Sequence, residues 1–416
     1  MIRRNPQRLA WTVLILSFCA CAALAISVPL AVRSFLTDST DPAAVILQRQ
    51  QGTPLLQRPN SADFVGVTDQ PTEVLEGSVI QIDESTQAVL TMRDPGVETN
   101  LVVVQLYGNT DVTLRAANTP RFDLSPNPHR LDLLVTNGRI RINVLNDATR
   151  PVAASVRSPQ GEVAFSVGTY AVEVTNEELQ VTVREGQATV SAQGTVVVIE
   201  PPRRARVELG QPPEGGLSGE RKLIDNGSFA EPLEQTWIIE HGPQDENEPK
   251  GIVTSTTVTG RRAALFERSG PSHAETRLAQ EVNRDVTDAA SLTLHFAVLV
   301  SNQDVPLCGQ LGSECPLMVK INYRDTIGTE REWLQGFYAV PTPPNINNPN
   351  YCQACSTSNP HRRIPPNTWF TYDSDNLMDV LTVDDFKPSR ITRITFYASG
   401  HSYRSAITDV ELLMQD

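Results

Sequence analysis

The chain has 416 residues, 40% of them hydrophobic, with 30 prolines and a formal net charge of −13. That length allows two or three domains, and an acidic balance of this size excludes a nucleic-acid-binding role, which needs clustered Lys and Arg against phosphate. It also disfavours a chain that lies on anionic lipid, while leaving a cation or a neutral sugar open as a ligand.

The first element is apolar. Leu9 to Val32, LAWTVLILSFCACAALAISVPLAV, is a run of 24 residues without a charge. As a helix at about 1.5 Å per residue it exceeds the roughly 30 Å hydrocarbon core of a bilayer. Arg3, Arg4 and Arg8 precede it and Asp38 and Asp41 follow, which predicts a cytoplasmic N-terminus and export of everything after about residue 34. Ala23-Leu24-Ala25 resembles a signal-peptidase site, but the apolar run continues for seven residues beyond it, which favours a retained anchor over cleavage. Cys19 and Cys21 read as apolar residues of this helix, because Phe18 is bulky where a lipoprotein signal needs a small residue.

Residues 33–76 read as an extended stalk, with scattered Pro and no sustained period; Asp41–Gln51 is a candidate short helix with Asp41 as its cap. From 77 to 210 the period is two. Leu101–Leu106 is a short apolar run, and runs such as Val163–Val167, Tyr170–Val174, Leu179–Val183 and Ala188–Ala192 put apolar residues on every second position between turn residues. Asn137-Gly138, set between two alternating runs, predicts a hairpin. No helical period interrupts, so the expectation is all-β. Residues 201–222 hold four Pro and four Gly, which marks a boundary, with 211–222 as linker.

The segment 223–416 predicts eight strands: Ile252–Val258, Ala263–Phe266, Ser291–Val300, Leu317–Tyr323, Trp333–Val340, Thr368–Tyr372, Arg390–Ala398 and Ile407–Leu413. Eight strands suit a β-sandwich of the jelly-roll kind. Cys308, Cys315, Cys352 and Cys355 lie in or beside long Pro- and Asn-rich loops. An even number of cysteines in an exported segment predicts disulfides, in one of three pairings. Four thiolates could also hold zinc, and that reading would gain if the topology were inverted.

A family resemblance rests on RSPQGEVAFSVGTYAVEVTNEELQVTVREGQATVSAQGTVVVIEPPRRARV. Ser158-Pro159-Gln160-Gly161-Glu162-Val163, Gly168-Thr169-Tyr170 and Val183-Arg184-Glu185-Gly186 resemble the strand and turn motifs of the FecR-type extracytoplasmic domain, as does Leu133–Arg141 upstream. The resemblance covers about residues 78–210 and implies a β-rich exported module. In members of that family the cytoplasmic N-terminal segment controls a sigma factor. Here only about eight residues precede the apolar run, too few to cover a partner.

The opening Leu223–Trp237 and the ending Ala406–Leu413 resemble the first and last strands of galactose-binding or carbohydrate-binding jelly rolls. That resemblance implies a structural calcium ion held partly by Asp225 and Asp409, although calcium takes six to eight oxygens. No other cofactor is expected.

The six histidines, His129, His241, His273, His295, His361 and His401, make no metal-ligand spacing, and no nucleophile elbow or phosphate loop is present. The Asp384-Asp385 pair reads as a solvated turn, so the sequence does not read as an enzyme. Sugars stack on exposed rings, which makes Trp333, Tyr338, Trp369, Tyr372 and Tyr403 the candidate ligand residues, with Trp237 assigned to the core. The expected molecule is a bacterial single-pass membrane protein, N-terminus inside. An extracytoplasmic β domain and a jelly roll would bind or scaffold a cell-surface glycan or polymer. The alternatives are a sensor that relays an external signal through the helix, with a protein partner the sequence does not name, and a secreted adhesin.

Overall fold

The computed structural model describes residues 6–94, 99–146, 150–242, 248–304, 306, 308–309, 314–341, 357–358 and 360–416. Among the described residues the protein is all-β apart from one long N-terminal helix and two short helical turns. It divides into two compact units, Met1–Leu217 and Ser218–Asp416.

The helix spans Pro6–Asp38, long and apolar enough by length and composition to cross a membrane from Ala10 onward. It ends at a polar cap: the Thr37 carbonyl accepts from Ser125 Oγ at 2.5 Å and from Asn127 Nδ2 at 2.9 Å. Those bonds satisfy one of the carbonyls that a helix end leaves without an internal partner.

Residues 40–76 are not a stalk. Ala44–Gln51 forms a strand that pairs with Gln87–Arg93. Leu55–Gln57 pairs with both Phe64–Gly66 and Val79–Ile82. Val45, Leu47, Leu56, Val67 and Val74 join the core. Asp41 caps no helix and pairs instead with Arg121 at 2.6 Å. The signal is hidden because these strands are mostly three residues long, below the length at which a period can be read.

Strand pairing closes the first unit into one barrel in which two sheets can be followed. The strand His129–Val144 belongs to both. Its first half pairs with Thr110–Pro120 and Val152–Arg157, its second with Asn100–Leu106 and Gly168–Val174. The predicted hairpin at Asn137-Gly138 is therefore a bend inside one strand. The register slips between Val135 and Asn137, and Gly138 sits at φ +102° with Thr110 so close that a Cβ would lie 2.4 Å from its Cα. Only glycine fits there, and the resulting bulge redirects the chain from one sheet to the other.

The second unit is a β-sandwich. One sheet runs in the order Ile252–Val258, Arg261–Arg268, Tyr403–Gln415, Ser291–Gln303, Phe370–Asp373, and Glu220–Lys222 also pairs with Tyr403–Gln415. The other runs Ile238–His241, Ala274–Asp285, Pro388–Gly400, Cys315–Asp325, Glu330–Tyr338, Thr357–Ser358. Between them lies a core rich in rings. Phe296 meets Phe337, Tyr372 and Phe396 at 5.1–5.4 Å between centroids, and Trp237 packs on Phe229. The Phe296–Phe337 and Phe296–Phe396 pairs are edge-to-face, and such pairs add about 0.5–1.5 kcal/mol each beyond the area they bury.

Candidate ligand-binding site

The five candidate aromatic residues do not form one surface. Trp333 is fully buried and Tyr372 nearly so, both in the sandwich core. The reason is the strand period: Trp333 and Phe337, and likewise Tyr372, fall on the inward face of their strands. Burial pushes the Tyr372 phenol up to about 12, against the Arg362 guanidinium that lies over its ring. Tyr338 is half-buried beside the cluster of Cys308, Cys315, Met318, Leu334 and Tyr397. Trp369 packs on Val258, Ala263, Leu265, Leu299 and Ala406, and Arg261 lies 5.1 Å over its ring, where a stacked sugar would otherwise sit. Neither Trp333 nor Trp369 gives its indole N–H a hydrogen-bond partner among the described residues.

Tyr403, of the five, borders an open cleft of about 530 Å³, lined also by Lys250, Ile252, Glu267, Arg268, Ser269, Asn302 and Arg404. Its geometry follows from sheet register. Ile252 lies opposite Glu267, Glu267 opposite Arg404, and Arg404 opposite Asn302. Four adjacent strands thus contribute one cross-strand row. Asn302 is aligned with Arg404 only because the register slips between Val300 and Asn302, a bulge that re-aims the end of the strand.

The floor is fixed. Arg268 has no exposed side-chain surface and donates to the carbonyls of Pro249, Ser272, Gly400 and His401 and to Glu248 at 3.0 Å. A charge so buried is tolerable only when it is fully hydrogen-bonded. The Tyr403 hydroxyl donates to Thr276 Oγ1 at 2.8 Å, and burial holds its phenol above the usual tyrosine range. The rim is exposed: Lys250, Ile252, Ser269, Asn302 and Arg404 face solvent, and Glu267 pairs with Arg404 at 2.6 Å. The sequence singles out none of these rim residues. They come from four separated segments, and only strand pairing brings them together.

The two carboxylates expected to hold calcium do not make a site. Asp409 sits at φ +52° and is ion-paired with Arg261, so a cation already neutralises it. Asp225 is exposed, and its backbone rather than its carboxylate is engaged, both N–H and C=O bonding the Gln280 side chain at 2.9 Å. Among the described residues no group of three His, Cys, Asp or Glu could hold a metal ion. The first and last strands of the sandwich do lie together, Glu220–Lys222 against the end of Tyr403–Gln415.

Of the four candidate disulfide cysteines, Cys308 and Cys315 are bonded to each other; Cys352 and Cys355 lie outside the described residues. The disulfide loop is stapled to the sheet by His361. Its Nδ1 accepts from the Gly336 N–H at 2.9 Å and its Nε2 donates to the Gly309 carbonyl at 3.2 Å. Gly336 leaves room for both: a Cβ there would lie 2.5 Å from Cys308 Sγ and 2.9 Å from the imidazole.

No protein-family model and no curated protein matches the chain. Among solved structures, a Parabacteroides distasonis protein assigned as an anti-sigma factor aligns at 18% identity over 36% of this chain and 69% of its own, with a TM-score of 0.26. A family 11 carbohydrate-binding module from Clostridium thermocellum, bound to a β-1,3-1,4-mixed-linked tetrasaccharide, aligns at 12% identity over 46% of this chain and 94% of its own, TM-score 0.26. The enzymatically active domain of a tailspike protein from Bacteriophage CBA120 aligns at 13% identity over 46% of this chain and 21% of its own, TM-score 0.27.

Proposed function

We propose that this is a membrane-anchored, exported, non-catalytic binding protein whose β-sandwich takes a hydroxyl-rich, carboxylate-bearing glycan or similar polymer. The observation that carries the reading is the row Ile252–Glu267–Arg404–Asn302 at the mouth of the cleft. It offers a guanidinium and an amide beside the Lys250 ammonium and the Ser269 hydroxyl, with one exposed aliphatic side chain against which a sugar ring can lie. Fixed polar groups on an apolar ground are what orient a small or polymeric ligand. The cleft's own groups argue against catalysis. Arg268 and Glu248 neutralise each other, Glu267 is paired with Arg404, and the Tyr403 phenol is held neutral and committed to Thr276. A general acid or base needs a group free to exchange its proton near neutral pH.

The test is titration of the full chain, in detergent, with polygalacturonate and with a neutral mixed-linkage glucan, followed by calorimetry. Binding of the acidic polymer is expected, with a loss of about tenfold or more in Arg404→Ala, equivalent to about 1.4 kcal/mol. Arg404 and Glu267 are both substantially exposed, and surface pairs of this kind contribute only about 0–1 kcal/mol to stability, so the variant stays folded. Absence of heat with both polymers would overturn the reading.

The resemblance to FecR-type domains supports a second reading, a sensor that passes a signal along the helix. The observation in its favour is the direct joint between barrel and helix at Thr37, with no spacer between them. It requires a cytoplasmic partner for residues 1–8, and crosslinking at that tail in intact cells tests it.

A further inference from the structure

The loop from Arg121 to Pro128 wraps the end of the long helix. Ser125 and Asn127 bond the Thr37 carbonyl, and the Phe122 ring lies 5.6 Å from that of Phe35 on the last helical turns. Arg150 braces the loop from behind, donating to the carbonyls of Ser125 at 2.8 Å, Asn127 at 2.9 Å and Phe122 at 3.2 Å. Arg121 is tied to Asp41. The loop is thus held in one shape by bonds to its own backbone; it presents Arg121, Asp123, Leu124 and Pro126 outward, and of these the apolar Leu124 is 80% exposed. No large apolar side chain described in the helix itself is as exposed; Phe18, the nearest to it, is 72% exposed.

A leucine so exposed on a braced loop would gain free energy on leaving water for an apolar surround such as lipid. Its height fixes which part of the lipid. The uncharged run ends at Val32 and the loop grips the helix at Thr37, about 7.5 Å further along at 1.5 Å per residue. Each headgroup layer outside the hydrocarbon core is roughly that deep. Phe35, 56% exposed, lies between these two points of the helix.

We infer that the Arg121–Pro128 loop is a second membrane contact, with Leu124 seated in the headgroup layer beside the point where the helix leaves the bilayer. The inference rests on the anchor reading of the helix. Two contacts, one spanning and one interfacial, fix the tilt of the barrel against the membrane, which a single helix joined to a flexible tether does not. An apolar contact also suits a chain of net charge −13, which gains nothing from anionic lipid.

The experiment uses the full chain carrying Leu124→Trp, reconstituted into phosphatidylcholine vesicles with and without brominated acyl chains. The fluorescence of the unsubstituted chain, which has four tryptophans, is subtracted. The added emission is expected to fall by more than half in brominated vesicles and to be shielded severalfold from aqueous acrylamide. A chain that floats with the vesicles and resists carbonate extraction, yet whose added emission is untouched by bromine and open to acrylamide, would overturn the inference while leaving the anchor intact. A chain that does not float would overturn both.

Discussion

The two units solve the same problem with different side chains. Among the described residues the barrel's core is aliphatic: Val, Leu and Ile make up most of it, and its aromatic members are Phe165 and Tyr170. The sandwich core holds Phe229, Trp237, Phe266, Phe296, Tyr323, Trp333, Phe337, Tyr372, Phe396 and Tyr403. Stacked sheets stand about 10 Å apart, and the middle of a gap that wide is filled by rings. The barrel shares one strand, His129–Val144, between its sheets, and short branched side chains fill its core. The difference also separates where binding can arise. The sandwich spends most of its rings in the core, and the exposed rim of its cleft is made of polar side chains and the one aliphatic residue Ile252.

The largest test of this contrast is Trp333→Ala. The ring is fully buried, and removing a buried tryptophan costs about 3–5 kcal/mol. Thermal unfolding of the full chain is expected to show the sandwich transition lost or lowered by many degrees, with the barrel transition unmoved. A variant that unfolds normally but no longer holds polymer would return Trp333 to the binding surface and break the comparison.

Next in size is Tyr170→Phe, in the barrel. The Tyr170 hydroxyl lies at the centre of a turn network, donating toward the carbonyls of Ser166 at 3.0 Å and Gln187 at 3.1 Å, and accepting from the Gln187 N–H at 3.0 Å. Gly186 at φ +84° approaches so closely that a Cβ would lie 2.3 Å from that hydroxyl. Ser166 and Gln187 are exposed, and the Gln187 N–H and carbonyl keep Ser166 Oγ and the Ser166 N–H as partners, so losing the hydroxyl costs a net hydrogen bond, about 0.5–1.5 kcal/mol, measurable as a shift of the urea midpoint at unchanged slope. A shift below a few tenths would mean that the aliphatic core alone holds these turns.

These residues separate what is legible in the chain from what is not. Gly168-Thr169-Tyr170 and Glu185-Gly186 stand out in the sequence as a motif, and the Tyr170 network is the physical content of that motif. Strands with clean alternation, such as Ile252–Val258 and Ala188–Ala192, lie where the period puts them. Ala274–Asp285 escapes the periodic reading although it is 12 residues long. Its inward positions include Thr276 and Gln280, buried polar residues that break the apolar alternation. Each has a partner that only the fold supplies, the Tyr403 hydroxyl and the Asp225 backbone. The cleft is illegible for the same reason. Its row exists only through the pairing of four strands, one of them shifted by a bulge, and a single sequence carries no record of register.

The smallest expected effect concerns the staple. In the barrel a tyrosine pins two turns; in the sandwich a histidine, His361, pins the disulfide loop. Burial lowers its pKa below the ordinary 6.5, more than the Gly309 carbonyl raises it. With Nδ1 accepting from Gly336 and Nε2 donating to Gly309, the ring fits only as the neutral form, and a second proton at Nδ1 would face an N–H. In the interval between the lowered folded value and 6.5, the unfolded chain binds the proton and the folded chain does not. Stability therefore rises with pH across that interval. What His361 contributes is present above pH 6.5 and is lost as pH falls through it toward the folded value. Unfolding temperatures of the chain and of His361→Gln, compared at about pH 7.5 and about pH 5.5 to straddle the ordinary histidine value, should show a larger drop for the chain with its histidine, since the other titrating groups are common to both. Equal drops would mean that the proton enters without breaking the Gly336 contact, and that the loop is held by the Cys308–Cys315 bond alone.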